Sequence, residues 1–422
     1  MTRSEEIYER ALRLIPGGVN SPVRAMGSIG RDPIFIASAA GCELTDVDGN
    51  TYIDWISSWG PLILGHADPE VTAAVQAAAA RGSSYGAATE AEVELAAEVV
   101  DRFSSVAMVR MVSSGTEASM SAIRLARAAT GREPVLKFAG AYHGHVDGLL
   151  AEAGSGLATQ GIPASPGVPA AQAEATTVVP WNDLETLERA LADRPHAAII
   201  AEPIPANMGL VPAAAGFLEQ LRELADQTGA LLILDEVISG FRVARGGAQE
   251  LTGVEADLTV IGKVIGGGLP AAAYGGRREL MERIAPAGDV YQAGTLSGNP
   301  LAVAAGLTTL GRLDAAAYER LGELTDALAA GLTNAAGDAE VSIVTRPGLL
   351  TLFFSPEPPS DFAAAQACNH DAYAAFCRAM LERGVYPPPS QYEAWFISLA
   401  HDEAAIARTA AAAREAIEEA LG

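Results

Sequence analysis

Short apolar segments alternate with helical segments from about Leu62 onward, and this alternation constrains the fold more than any other feature of the chain. The predicted strands are 108–112, 134–138, 176–180, 197–202, 230–236 and 258–263. Nearly continuous apolar strands are typical of sheets covered on both faces, and strands separated by helices form parallel sheets. The sequence therefore predicts an α/β fold with a mostly parallel sheet flanked by helices. Ligands of such sheets bind at the carboxyl ends of the strands.

The two ends of the chain have a different pattern. The N-terminus predicts a helix that begins with a capping box at Thr2, followed by short strands around an Asp48-Gly49 turn. The C-terminal region is alanine-rich and helical, with one strand at 349–355. We expect these ends to form a smaller α+β domain. The predicted parts are an N-terminal helix and β segment at 1–54, a large domain at 55–309 and a small C-terminal domain at 310–422.

The composition excludes several classes of function. A formal net charge of −24 argues against nucleic acid or an anionic membrane as a partner, because both require basic patches. Apolar runs are interrupted well before the roughly 18 residues that a membrane span needs, and no export signal is visible. Three cysteines are too few for a disulfide framework, so we expect a reducing cytoplasm. An anionic substrate would require a few well-placed arginines.

Lysine is nearly absent from the chain, which contains only Lys137 and Lys263. Arginine supplies surface charge equally well, but it cannot form a Schiff base. Lys263 follows a predicted strand and precedes the glycine run 266–268, a position that favours a nucleophilic amine with a lowered pKa. Lys137 lies inside an ordinary strand pattern, and we interpret it as a lysine whose amine reaches solvent.

Polar residues follow three of the predicted strands. Residues 113–117 could form a phosphate cradle at a helix N-terminus, or they could simply cap that helix. Asp235 ends a buried strand and needs a partner, either a protonated pyridine nitrogen or a structural arginine or turn. Tyr142 could stack on a planar ring. His143 and His145 are too few for a zinc site, so no metal is predicted.

The segment 153–171 is rich in Gly, Ser, Pro and Ala and is too long for an ordinary turn. Segments of this kind are usually functional lids or disordered insertions.

These motifs carry a family resemblance that covers nearly the whole chain. The matching segments include LIPGGVNSPVRA, SSGTEASMSAIRLAR, YHGHVD, LDEVISGFRV, GKVIGGGLPAAAYGGR, YQAGTLSGNP and SQYEAWFISLAH. The chain resembles the glutamate-1-semialdehyde aminomutases, a branch of the class III, fold-type I aminotransferases that depend on pyridoxal 5'-phosphate (PLP). The Asp-Glu-Val and Gly-Lys segments are shared by the wider group, whereas GGVNSPVRA, the long segment and YQAGTLSGNP are more specific to the aminomutases.

The resemblance implies a PLP-binding large domain and a role for each matching residue. Lys263 would carry the cofactor as a Schiff base and move protons. Asp235 would pair with the pyridine nitrogen. The other implied cofactor contacts are Ser114, Gly115 and Thr116 at the phosphate, Tyr142 and Val237 on the ring faces, Asn207 at the ring oxygen, and Thr295 at the phosphate across a homodimer interface. The implied substrate contacts are Ser21 and Arg24 at the carboxylate, Trp59 and Glu393 in the pocket, and Ser155 in the gating segment.

The implied reaction is an amino-group transfer within one molecule. Glutamate 1-semialdehyde would become 5-aminolevulinate through 4,5-diaminovalerate, with the cofactor cycling between PLP and pyridoxamine 5'-phosphate (PMP), in tetrapyrrole (porphyrin) biosynthesis. The alternative is a class III ω-aminotransferase with a separate amino donor and acceptor, which would share every cofactor contact. A non-catalytic PLP-binding protein is a third reading.

Overall fold

The computed structural model of this chain describes residues 2–154 and 165–422. The strands are β1 Ile36–Ala40, β2 Glu43–Asp46, β3 Thr51–Asp54, β4 Met108–Val112, β5 Val135–Phe138, β6 Thr176–Val179, β7 Ala198–Ala201, β8 Leu231–Glu236, β9 Leu258–Ile261, β10 Ala272–Gly276, β11 Ser342–Arg346, β12 Leu349–Phe353, β13 Val385–Tyr386 and β14 Trp395–Phe396. The α-helices are α1 Arg3–Leu12, α2 Pro69–Ala79, α3 Glu90–Arg102, α4 Gly115–Thr130, α5 Ala170–Glu174, α6 Leu184–Asp193, α7 Phe217–Thr228, α8 Gly247–Thr252, α9 Arg278–Met281, α10 Pro300–Gly311, α11 Ala315–Ala336, α12 Phe362–Gln366, α13 His370–Glu382 and α14 Glu403–Leu421. None of the helices in the two described ranges is long and apolar enough to cross a membrane.

The central sheet has seven strands in the order β4-β10-β9-β8-β7-β5-β6. The pairings from β9 through β6 are all parallel, which confirms the predicted mostly parallel sheet. Strand β10 is antiparallel to both of its neighbours and was not predicted. Its sequence, AAYGG, lacks the β-branched residues that indicate a strand. Glycine suits position 275 because a Cβ there would lie 2.6 Å from Val106 Cγ1.

The alternation of side chains along β8 positions the site. Every residue of this strand is buried. Ile233 belongs to the apolar cluster that contains the inner face of α4, whereas Leu232 and Leu234 belong to the cluster on the opposite side of the sheet. Because side chains two residues apart share a face of a strand, Asp235 lies on the face that α4 covers.

The N- and C-terminal segments share a sheet. Its order is β1-β2-β3-β13, and the C-terminal strand β13 pairs in parallel with β3. The helix α1 begins with the predicted capping box, and β2 and β3 form the predicted hairpin. The largest apolar cluster contains Ile53, Val264 and Phe376, one from each predicted part of the chain. The boundaries at 54 and 309 stay a prediction.

His401 is held as a neutral ring between the two ends of the chain. Its ring stacks on Trp55 with centroids 4.0 Å apart. The Nδ1 atom accepts the Ser398 N–H at 3.0 Å, and Nε2 lies 3.0 Å from the Asp54 carbonyl oxygen. These two bonds require a proton on Nε2 and none on Nδ1, so the neutral tautomer fits. Burial lowers the pKa of His401 to about 4.

We expect acid to destabilise the chain through His401. The unfolded state takes up a proton near the ordinary histidine pKa of about 6.5, whereas the folded state does so only near 4. This contribution to stability is therefore complete above pH 6.5 and is lost as the pH falls towards 4. At pH 5 the free energy of unfolding should be about 2 kcal/mol lower than at pH 7 from this residue alone. The measurement is the free energy of unfolding in denaturant, for wild type and His401→Gln at both pH values. An equal change in this free energy in the two chains would contradict the prediction.

Candidate active site

A cavity of about 370 Å³ opens at the carboxyl ends of the central strands. It is the place where ligands bind in open α/β sheets. Its wall includes eight of the nine residues that the sequence marked as cofactor contacts: Ser114, Gly115, Thr116, Tyr142, Asn207, Asp235, Val237 and Lys263. The fold thus brings together residues from five separate strand ends.

The N-terminus of α4 forms one side of the cavity. Ser114 caps the helix, with its Oγ accepting the Glu117 N–H at 3.2 Å. The first amides of a helix lack partners within the helix and attract anions. Gly115 lies directly against Val237, since a Cβ at Gly115 would lie 3.2 Å from Val237 Cγ2. The capping role therefore coexists with a site that could take a phosphate.

Asp235 is oriented by a histidine and by a backbone amide. Its Oδ2 lies 2.7 Å from His143 Nδ1, and its Oδ1 accepts the Val237 N–H at 3.0 Å. Both side chains are buried, with 5% of Asp235 and 1% of His143 exposed. Sequence reasoning treated His143 as an ordinary hydrogen-bonded residue, and its pairing with Asp235 depends on the fold.

Glu202 was not singled out from the sequence, although it is the last residue of the predicted strand 197–202. Its carboxylate accepts the Tyr142 N–H at 3.0 Å, the Ala206 N–H at 3.0 Å and the Asn207 side-chain amide at 2.9 Å. Burial raises the pKa of Glu202. It therefore joins the two walls of the cavity that carry Tyr142 and Asn207.

Lys263 begins the short turn Lys263–Gly266, which Gly262 separates from β9. Its backbone φ of 49° lies in the left-handed region, which non-glycine residues rarely occupy outside functional sites. Burial lowers the pKa of Lys263, opposed by the negative charges of Asp235, Glu393 and Glu202. A lowered pKa increases the neutral, nucleophilic form of an amine at neutral pH.

A left-handed turn at residues 57–60 packs beside Lys263. All four residues have positive φ, between 45° and 106°. The Asp54 carboxylate accepts the N–H groups of Ile56 and Ser57, and Arg242 donates to the Gly60 carbonyl. A Cβ at Gly60 would lie 3.3 Å from Lys263 Cδ, so this turn packs directly on the lysine stem.

The residues that the sequence assigned to substrate are more dispersed. Trp59 is half-buried on the 57–60 turn, and Glu393 is buried near enough for its charge to oppose the lowering of the Lys263 pKa. Arg24 is exposed and lines a separate groove of about 430 Å³ beside α1, and Ser21 precedes it in the same segment. Ser155 lies outside the described residues. Among the described residues, no arginine lines the main cavity.

Thr295 also lies away from the main cavity. It is exposed in a groove of about 520 Å³ formed by residues 84–89 and 294–300. A phosphate contact from Thr295 to the cavity of its own chain is therefore not part of the observed arrangement.

The two histidines after β5 are engaged in hydrogen bonds. His145 Nδ1 lies 3.2 Å from Thr116 Oγ1, and His143 bonds Asp235 as described. Within residues 2–154 and 165–422, no group of three or more His, Cys, Asp or Glu side chains could hold a metal ion.

Comparisons with known proteins extend over almost the full length. The model of the family described as aminotransferase class III matches residues 26–409. A protein of Syntrophobacter fumaroxidans named glutamate-1-semialdehyde 2,1-aminomutase is 59% identical, over 95% of this chain and 94% of its own length. The solved structure of an omega-transaminase from Sphaerobacter thermophilus has a TM-score of 0.92 at 32% identity, covering 100% of this chain and 98% of that chain. A glutamate-1-semialdehyde aminomutase from Pseudomonas aeruginosa in complex with PMP has a TM-score of 0.88 at 29% identity, with 99% and 94% covered.

Proposed function

Because this chain belongs to the class III aminotransferase family, we propose that it is a PLP-dependent aminomutase that converts glutamate 1-semialdehyde into 5-aminolevulinate. The amino group moves within one molecule by way of 4,5-diaminovalerate, and the product enters tetrapyrrole biosynthesis. The overall reaction is an isomerisation that needs no external amino donor. The observation that carries this proposal is the placement of Lys263, Asp235 and the α4 N-terminus on one cavity.

The residues present fit PLP. The α4 N-terminus with Ser114, Gly115 and Thr116 would hold the phosphate, as an anion requires. Asp235 would keep the pyridine nitrogen protonated, and its own position is maintained by His143. The remaining contacts would be Tyr142 and Val237 on the ring faces and Asn207 at the ring oxygen. When bound, PLP supplies covalent attachment of an amine and withdrawal of electrons from the adjacent carbon.

Lys263 would accept and donate the protons that move in the reaction. Lys263 lies on the cavity wall, and its lowered pKa favours a neutral amine that can accept a proton from a carbon acid. The cavity carries the carboxylates of Asp235 and Glu202 close to this amine. Their negative charge stabilises the ammonium that forms when Nζ accepts a proton. Lys263 can therefore alternate between base and acid without leaving its place.

The assembly that we propose is a homodimer. Tyr291 and Leu296, near Thr295, are 71% and 53% exposed, and Tyr85 across the groove is 47% exposed. Exposed large apolar side chains around one groove favour burial against a second protein. Thr295 would then reach the phosphate held by the partner subunit. A cytoplasmic location is consistent with free thiols at Cys42, Cys368 and Cys377.

An ω-aminotransferase is the second candidate, and the similarity to the omega-transaminase structure favours it. The deciding experiment supplies glutamate 1-semialdehyde to the PMP-loaded enzyme with no keto acid and no added amine. Many turnovers to 5-aminolevulinate per active site support the aminomutase. A single turnover to 4,5-diaminovalerate that resumes only when an external amino donor is added supports the aminotransferase. Binding of PLP is measured by the absorbance of the bound cofactor. A chain that does not bind PLP would be neither the aminomutase nor the aminotransferase, and it would not be a non-catalytic PLP-binding protein either.

Arg24 provides a test of the substrate assignment. If Arg24 binds the substrate carboxylate, Arg24→Ala should raise KM roughly 10- to 100-fold, because hydrogen bonds to charged groups contribute about 1.5–3 kcal/mol. The value of kcat should change much less. Arg13→Ala, another exposed arginine near the end of α1, is the matched control and should leave KM unchanged. An unchanged KM in Arg24→Ala would show that Arg24 takes no part in substrate binding.

A further inference from the structure

Lys137 is buried, which overturns its interpretation as a lysine whose amine reaches solvent. It lies in β5 and none of its surface is exposed. Its Nζ donates to three backbone carbonyl oxygens, those of Ala141 at 3.1 Å, Leu149 at 3.1 Å and Ala151 at 2.8 Å. An ammonium has three N–H donors, so every donor has an acceptor.

This geometry explains why a lysine occupies position 137. Only two of the 28 basic Lys and Arg residues in the chain are lysines. One is Lys263, for which an amine is needed by chemistry. At position 137 three acceptors surround one nitrogen, and a planar guanidinium, whose five donors are spread in a rigid fork, cannot satisfy them in the same way.

The three carbonyls belong to the loop that leaves β5, which we call the strand-end loop and define as residues 140–152. Its two ends are joined by the Gly140 N–H, which donates to the Glu152 carbonyl at 2.8 Å. The strand-end loop contains Tyr142, on the cavity wall, and His143, which orients Asp235. Through its hydrogen bonds Lys137 therefore holds the loop that contributes Tyr142 and His143 to the cavity.

The ammonium form is the one that the acceptors fit. A neutral amine has two donors and would leave one buried carbonyl without a partner. Burial lowers the pKa of Lys137 to about 7, opposed by the negative charges of Glu202 and Glu152. Glu202 also accepts the Tyr142 N–H. The carboxylate whose charge favours the Lys137 ammonium therefore contacts the strand-end loop.

We propose that Lys137 is a positioning residue for the amino-transfer site, whose ammonium holds the strand-end loop so that Tyr142 and the His143–Asp235 pair keep their places on the cavity wall. It touches neither cofactor nor substrate and acts through that loop. This inference rests on the proposed function in one respect, because turnover is measured with the proposed reaction.

The test compares Lys137→Met, Lys137→Gln and Lys137→Arg with wild type, all as PLP-loaded enzyme. In each variant kcat should fall roughly 10- to 100-fold with KM changed less than about threefold, since misplacement of a catalytic group by about 1 Å can cost 10²-fold. The circular dichroism of bound PLP should change, because it reports the asymmetry of the ring's surroundings. Hydrogen exchange of the cofactor-free chain should be at least about 10-fold faster in the strand-end loop, with β8 unaffected.

Phe138→Leu is the matched control. Phe138 is a buried neighbour on β5 that packs edge-on against Trp181, with ring centroids 4.9 Å apart, on the other face of the strand. It should lower overall stability while leaving the PLP dichroism and the exchange of the strand-end loop as in wild type.

The outcomes separate the possibilities. Folded Lys137 variants with wild-type dichroism, exchange and kcat overturn the proposal. Failure of both Lys137→Met and Lys137→Gln to fold, with Phe138→Leu folded, makes the lysine a requirement of the whole fold and also overturns it. If wild type itself does not convert the semialdehyde, the proposed function fails. The dichroism and exchange measurements still decide the role of Lys137 in that case.

Discussion

Replacing Lys263 with alanine is expected to lower turnover by about 10⁴-fold or more, the largest loss from any single substitution in this chain. The change would remove both the proposed covalent anchor of the cofactor and the proposed proton-transfer group. The α4 N-terminus and Asp235 are unaffected, so the variant should still bind PLP without a covalent bond. The measurement is the rate of 5-aminolevulinate formation together with the absorbance of the bound cofactor.

Borohydride reduction of the wild-type holoenzyme locates the covalent bond independently. With only two lysines in the chain, peptide mapping has to distinguish Lys263 from Lys137. All three donors of Lys137 are used by carbonyl oxygens, and its side chain does not line the cavity, so the label should be at Lys263. Lys263→Arg is the control that keeps the positive charge and cannot form the bond. Substantial turnover in either Lys263 variant, or a label at Lys137, would refute the assignment.

Asp235→Asn is expected to have the second-largest effect, a loss of kcat on the order of 10²- to 10³-fold, in the range seen when one positioned electrostatic partner is removed. The amide has the shape of the carboxylate, and its oxygen can still accept the Val237 N–H. What disappears is the negative charge that would keep the pyridine nitrogen protonated. The cofactor should therefore remain bound, with its electron-withdrawing power reduced.

The matched control for Asp235→Asn is Asp257→Asn. Asp257 is another buried acid, which pairs with Arg222 at 3.0 Å away from the cavity. Its replacement should lower stability and leave the kcat of the folded enzyme near wild type. Steady-state kinetics with the cofactor absorbance recorded over pH distinguish the two variants. Equal kinetic effects in both would mean that Asp235 acts only on stability.

Local pattern was sufficient for the parallel part of the sheet. Strands β5 to β9 are short apolar segments between helices, and such segments have few alternatives to burial in a parallel sheet. The same reasoning failed for β10, whose alanines and glycines carry no strand signal. That strand pairs with β4 and β9, and its glycines are explained only by the tertiary structure, because a Cβ at Gly275 would lie 2.6 Å from Val106 and one at Gly276 would lie against the Asp257 carbonyl.

Partners of buried polar groups were the least predictable part of the site. Glu202 and His143 bond to residues from other strand ends, which come close only when the sheet has assembled, and Lys137 is buried only in the assembled sheet. Asp235 and His143, for example, are 92 positions apart. Sequence reasoning could state that such groups need partners, since unpaired burial is costly, but not which partners they find.

The sequence by itself determined the alternation of strands and helices in the parallel part of the sheet, the polar residues near the ends of those strands, and the scarcity of lysine that makes position 263 stand out. These follow from local periodicity and from composition. Only the tertiary structure decided that Lys137 is a buried brace, that Glu202 joins two walls of the cavity, and that Arg24 and Thr295 lie on other grooves. The physical reason is that burial and hydrogen-bond pairing depend on contacts between distant segments, which local periodicity does not encode.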